Sequence, residues 1–138
     1  HDPNSTLQEI VRILKPGGML ALRVPNADSF DAKIFGPYWS GLDSPRHLYV
    51  FGKSTITKIL EKNGFRILGL SSNDGSYLSF ILSIKMWMVA KEIRSSIRDP
   101  LIKILSGPAA RILSAPIFYF YSLLQRSSQM VVVAQVLK

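Results

Sequence analysis

Between Trp39 and Phe51 the chain gathers most of the side chains able to do chemistry, in the order Trp-Ser-Gly-Leu-Asp-Ser-Pro-Arg-His-Leu-Tyr-Val-Phe. A surface loop is ordinarily small and polar. This one sets Trp39, Tyr49 and Phe51 beside Asp43, Arg46 and His47, the mixture of a binding-site wall. An imidazole, with an ordinary pKa of about 6.5, accepts a proton at neutral pH, so His47 is the candidate general base. Two other roles stay open for it: bonding a backbone carbonyl to fix the loop, or holding a substrate without moving a proton. Asp43 and Arg46 are close enough in sequence for a turn to close an ion pair; alternatively Arg46 grips a substrate phosphate or carboxylate. Trp39 and Tyr49 either stack on a flat ligand or pack as plugs.

Short sequential elements must position this loop. Leu7, Ile10, Val11 and Leu14 recur at helical spacing, with Asn4 or Ser5 as the expected cap, and Pro16-Gly17-Gly18 ends that helix. Met19 to Val24 is an apolar run of the kind found in central parallel strands, closed by Pro25-Asn26. Ligands of open α/β sheets sit beyond the carboxyl ends of the strands, so Asn26 is a candidate donor to a substrate oxygen, or else the holder of a turn. A short helix is expected within Ala27 to Phe35, started by Asp28 or Ser29. Beyond the aromatic loop, Ser54 is expected to cap a helix ending at Gly64, followed by a strand from Phe65 to Leu70 and a turn at Asn73-Asp74-Gly75. A helical stretch then runs on, with breaks expected at Pro100, Gly107-Pro108 and Pro116. The last strand, Met130 to Leu137, carries Val131-Val132-Val133-Ala134 and reads as buried on both faces.

The net charge is +8 over 138 residues, and it is concentrated. From Leu78 to Arg126 seven cations face two anions, interspersed with Ile, Leu, Met, Trp, Phe and Tyr. Nucleic acid is a poor partner for this pattern, because no helix-turn-helix, zinc-ligand or aromatic platform accompanies the cations. An anionic membrane surface suits both the charge and the apolar content; a helical cap over the sheet is the equal alternative, with a partner protein third. A span needs about 20 uninterrupted apolar residues, and no run here reaches that. The absence of cysteine removes disulfides and thiolate metal sites, which fits a cytoplasmic protein. No paired histidines and no carboxylate cluster suggest a metal.

Leu14-Lys15-Pro16-Gly17-Gly18 before a strand ending Val24-Pro25-Asn26, and then Trp-x-Gly-Leu-Asp-x-Pro-Arg-His-Leu-Tyr-x-Phe, resembles the C-terminal half of a class I S-adenosylmethionine-dependent methyltransferase. The resemblance is to the small-molecule branch that includes the ubiquinone-biosynthesis type, and it covers residues 1 to 74 well and the last ten weakly. It implies an α/β fold: the C-terminal part of a Rossmann-like sheet, two parallel strands plus a final antiparallel strand inserted between them. Residues 1–77 and 127–138 would belong to the methyltransferase domain, and 78–126 would be a helical insertion, a cap or a membrane-facing element. It implies S-adenosylmethionine as cofactor, with His1 matching a family histidine near it and the loop lying over the acceptor, where Asn26, Trp39, Asp43, Arg46 and Tyr49 are candidate substrate contacts and His47 the catalytic base. The family's glycine-rich cofactor turn has no counterpart, since no Gly-x-Gly occurs. The expectation is therefore a substrate-side fragment, inactive in isolation and prone to self-associate along its open sheet edge. Its acceptor would be a small molecule or a lipid- or sugar-linked one. Localisation is expected to be cytoplasmic, peripheral at the inner face of a membrane where the insertion touches lipid. The alternative is a non-enzymatic membrane-surface or protein-interaction module.

Overall fold

The computed structural model describes residues 2–43 and 47–138. Helix α1 (Pro3–Ile13) begins where Pro3 pre-sets the first helical φ, and its cap is Asp2, whose carboxylate accepts from the backbone N–H of Asn4 and Ser5. Asn4 and Ser5, the expected caps, are instead the first donors to be satisfied. Strand β1 (Met19–Pro25), helix α2 (Phe30–Phe35, capped by Ser29) and helix α3 (Lys53–Lys62) follow. Ser54 does not cap α3. Gly52 holds that position without a side chain, and the carboxylate of Asp28 takes the Lys53 N–H at 2.7 Å, so the cap is borrowed from across the loop. Strand β2 (Phe65–Asp74) runs beyond the expected Leu70.

Three helices then intervene, α4 (Ser76–Ala90), α5 (Ser95–Leu105) and α6 (Pro108–Leu123), before strand β3 (Gln129–Val136). Pro100 and Pro116 lie inside α5 and α6 and do not break them. Each removes one N–H, and the remaining turns carry the helix through. The breaks fall between the helices, at residues 91–94 and at Ser106-Gly107.

The sheet has the order β1-β3-β2, and β3 runs antiparallel to both neighbours. All ladders are therefore antiparallel. β1 and β2 do not pair with each other: β3 lies between them and takes the hydrogen bonds of both, which is the place the resemblance gave the last strand; a single parallel bridge joins Asn26 to Phe51. Met130, Val132, Ala134 and Val136 are buried, and with Leu7, Ile56, Leu60 and Phe65 they make the core beneath α1 and α3. The alternate residues of β3 are only half-buried, so the strand is not buried on both faces. On that second face, polar pairs take the place of a covering layer, among them Arg23–Asp74 at 2.5 Å and Arg66–Gln135 at 2.6 Å.

Candidate functional site

An open cleft of about 830 Å³ lies where the end of β1, the end of β2, the start of β3 and helices α4 and α6 meet the aromatic loop. Gly75 makes its floor possible. It turns β2 into α4 at φ +83°, and a Cβ there would stand 2.9 Å from the Gln129 side chain. The loop is tied to α4 by serines: the Ser40 N–H donates to Ser83 Oγ at 2.9 Å, and the Ser40 hydroxyl donates to the Ser79 carbonyl at 3.1 Å. Gly41 lies so close beneath the Trp39 ring that no side chain fits there. The loop's far end is tied to β1, since Ala27 N–H donates to Phe51 O at 2.9 Å.

Two arginines and two aspartates, Arg23, Arg111, Asp43 and Asp74, line the cleft. Arg23 binds Asp74 and Gln129, Arg111 sits 5.9 Å from the centre of the Tyr77 ring, and His47 lines the mouth. The Tyr77 hydroxyl donates to the Leu105 carbonyl, which fastens α4 to the end of α5. His47 is exposed, and its backbone N–H donates to Asp43 O at 3.1 Å, which holds the two residues on one turn.

Of the candidates named from sequence, the fold brings His47 and Asp43 together on the cleft. Trp39 is 2% exposed and packs within the loop, with its indole N–H unpartnered among the described residues. Asn26 is fully buried: its amide donates to Ser72 Oγ at 2.9 Å and to Ser127 O at 3.0 Å, and its Oδ1 accepts from Asp28 N–H at 3.0 Å. It holds the turn, and its amide hydrogens are taken by Ser72 and Ser127. Tyr49 faces elsewhere, stacked on Phe51 at 6.4 Å and lining a separate apolar groove with Leu7, Ile10, Val24 and Ile59. The ion pair expected of Arg46 and the cofactor contact expected of His1 lie outside the described residues.

The reading from sequence missed Asp31. It is fully buried in α2 and accepts from the Ser128 hydroxyl through one oxygen. An acid in a first helical turn looks like an ordinary dipole partner, so nothing in the sequence distinguishes it. Burial pushes its pKa from 3.8 up to about 6, against the opposing hydroxyls of Ser128 and Ser79. Burial, and next to it the charge of Asp31, pushes the Tyr121 phenol upward as well.

A pH dependence follows. Between about 4 and about 6 the folded chain keeps a proton on Asp31 that the unfolded chain has released. Stability therefore falls as pH rises through that window and stays lower above it. The loss amounts to about 2–3 kcal/mol. Asp31→Asn, which mimics the protonated acid, is expected to stabilise the chain at pH 7.5 by about 2 kcal/mol and to flatten the dependence. Urea midpoints at pH 4.5 and 7.5 decide it: an unchanged difference between the two would assign the dependence to another group.

No group of three or more His, Cys, Asp or Glu side chains able to hold a metal occurs among the described residues. An adenosyl group is held in class I methyltransferases by a glycine-rich strand-to-helix turn and a strand-end acid. At the turn from β2 into α4 Asp74 stands beside Gly75; its carboxylate is bound by Arg23, and the Gln129 side chain packs against Gly75.

Residues 1–70 match a protein family described as a methyltransferase domain. Two solved structures are similar. One is the [4+2]-cyclase SpnF, at 20% identity and a TM-score of 0.47, with 98% of this chain and 44% of that one covered. The other is a protein assigned as a sarcosine dimethylglycine methyltransferase from Galdieria sulphuraria, at 15% identity and a TM-score of 0.44, with 97% and 47% covered. The chain thus spans less than half the length of either. No curated protein matches it.

Proposed function

The chain belongs to the methyltransferase-domain family, a family whose chemistry is S-adenosylmethionine-dependent methyl transfer, and we propose that its part in that chemistry is to form the acceptor side. The observation that carries this is the family match over residues 1–70, a stretch that contains β1, the loop and most of β2. In this reading the three strands are the C-terminal part of a Rossmann-like sheet, residues 78–126 are inserted before its last strand, and the main cofactor cradle lies outside the described residues. The cofactor supplies an electrophilic methyl group. The chain's own residues align the acceptor and take its proton.

His47, exposed at the mouth of the cleft, is the group placed to accept that proton from an acceptor hydroxyl. Arg111, held over the Tyr77 ring, is the cation placed to meet an anionic group of an acceptor, since Arg23 is taken by Asp74, and Phe118 and Leu82 supply an apolar wall. A small molecule carried on a lipid or a sugar phosphate combines these features. A non-catalytic interaction module is the second reading, favoured by α5 and α6, in which no residue is buried.

Titration of the isotopically labelled protein, in its full-length context, with S-adenosylmethionine separates the two. Saturable amide shifts at Asn26 and Ala27 and in the loop from Ser40 to Phe51 are expected. A folded sample that shows no response anywhere would remove the methyltransferase reading and leave the module.

A further inference from the structure

Helix α6 is inside out. Its inward side carries Phe118 and Tyr121, which meet Tyr77, Phe80 and Phe30 at ring-centre distances of 4.7 to 5.7 Å. In a soluble cap the outward side would be polar. Here Ile112, Leu113, Ile117, Phe120, Leu123 and Leu124 run down it at helical spacing, all exposed, with Ile112 at 73% and Leu113 at 80%. No charged side chain interrupts that side, because the single cation of α6, Arg111, is turned inward over Tyr77. Helix α5 repeats the arrangement on a smaller scale: Ile97, Leu101 and Ile104 are exposed along one stripe, with Lys103 and the Arg98–Asp99 pair off it.

We propose that the outward faces of α5 and α6 dock on an anionic lipid bilayer, lying in the head-group region. Three observations select this occupant. Residues 78–126 carry a surplus of cations, seven against two anions, which draws the segment to a negative surface and sets a second copy of the same chain against it. The apolar faces hold Tyr119 and Phe120, side chains suited to the interface, and both are exposed. The geometry is also that of a segment lying on a membrane. Among the described residues no single helix is long and apolar enough to cross one, and the α5–α6 pair, which together meets the length and composition of a span, is bent by 68°. This inference is independent of methyl transfer, which it would serve by bringing the cleft to a lipid-borne acceptor.

Co-sedimentation of the protein with vesicles of phosphatidylcholine alone and of phosphatidylcholine with about 30% phosphatidylglycerol tests it. Binding is expected only to the anionic vesicles, falling as salt is raised. Leu113→Glu and Phe120→Glu, both on the exposed face and therefore compatible with an unchanged far-UV circular dichroism spectrum, are expected to weaken partitioning by about tenfold or more. Lys91→Glu with Arg94→Glu should erase the preference for anionic lipid. Absence of vesicle binding by the folded wild type overturns the proposal. So does a concentration-dependent increase in mass that the two glutamate variants abolish, which would make a second copy the occupant.

Discussion

Asn26→Ala unfolds at a markedly lower urea concentration than the parent chain, with about 2–4 kcal/mol lost. The side chain is fully buried at the point where β1 ends, and it joins three separate stretches: Ser72 on β2, Ser127 ahead of β3, and Asp28 in its own turn. Its backbone N–H adds a fourth link, to Ser128 O at 2.9 Å. Alanine keeps that last bond and loses the other three. The Asp28 N–H then has no acceptor in a place that water reaches poorly, and a buried donor without a partner costs more than the bond it once made is worth. Asn26→Asp does no better, since a carboxylate sets an oxygen against the Ser127 carbonyl where the amide had donated. Equilibrium unfolding followed by tryptophan fluorescence measures the loss. A change under about 1 kcal/mol, together with a raised KM for acceptor, would return Asn26 to the substrate-contacting role that its sequence position suggested.

Asn26 also illustrates what a single sequence conceals. That it closes a strand beside a binding region was legible from Val24-Pro25-Asn26; which groups its amide meets was not, because Ser72 and Ser127 reach it only through the sheet order β1-β3-β2. The periodic elements were readable because their signals are local. The apolar spacing of α1, the Pro16-Gly17-Gly18 stop, Gly64 at φ +82° after α3, and the valine run of β3 each act within a few residues. Caps borrowed over a distance escaped, as with Asp28 and the Lys53 N–H. Pro100 and Pro116 misled in the opposite sense, because a proline lowers helix propensity locally while the surrounding helix decides the outcome.

The loop shows the same division. Its composition marked it as the place where reactive groups gather, and His47 and Asp43 do line the cleft. Composition does not say which way each side chain turns. Trp39 goes inward over Gly41 and locks the loop, and Tyr49 goes to the opposite groove with Phe51. The carboxylate most altered by its surroundings, Asp31, lies in a helix outside the loop altogether, since burial and not sequence neighbourhood sets its pKa.

The second large effect is on turnover. His47→Ala, assayed with its acceptor, is expected to lower kcat by about 10²–10³-fold while KM changes little, the signature of a group that acts on the acceptor proton in the transition state. The imidazole is exposed at the cleft mouth, so its removal leaves no cavity and no buried partner. Stability should move by no more than about 0.5 kcal/mol, which separates this result from unfolding. Glutamine at the same position retains a polar side chain of similar reach but accepts no proton at neutral pH, so His47→Gln is expected to be as slow as alanine. If glutamine instead restores the rate, the residue positions the acceptor and the proton leaves by another route. If alanine raises KM at constant kcat, His47 only binds. The three outcomes differ because a base works on a bond that is breaking, whereas a binding or loop-fixing side chain holds the acceptor equally before and during the transfer.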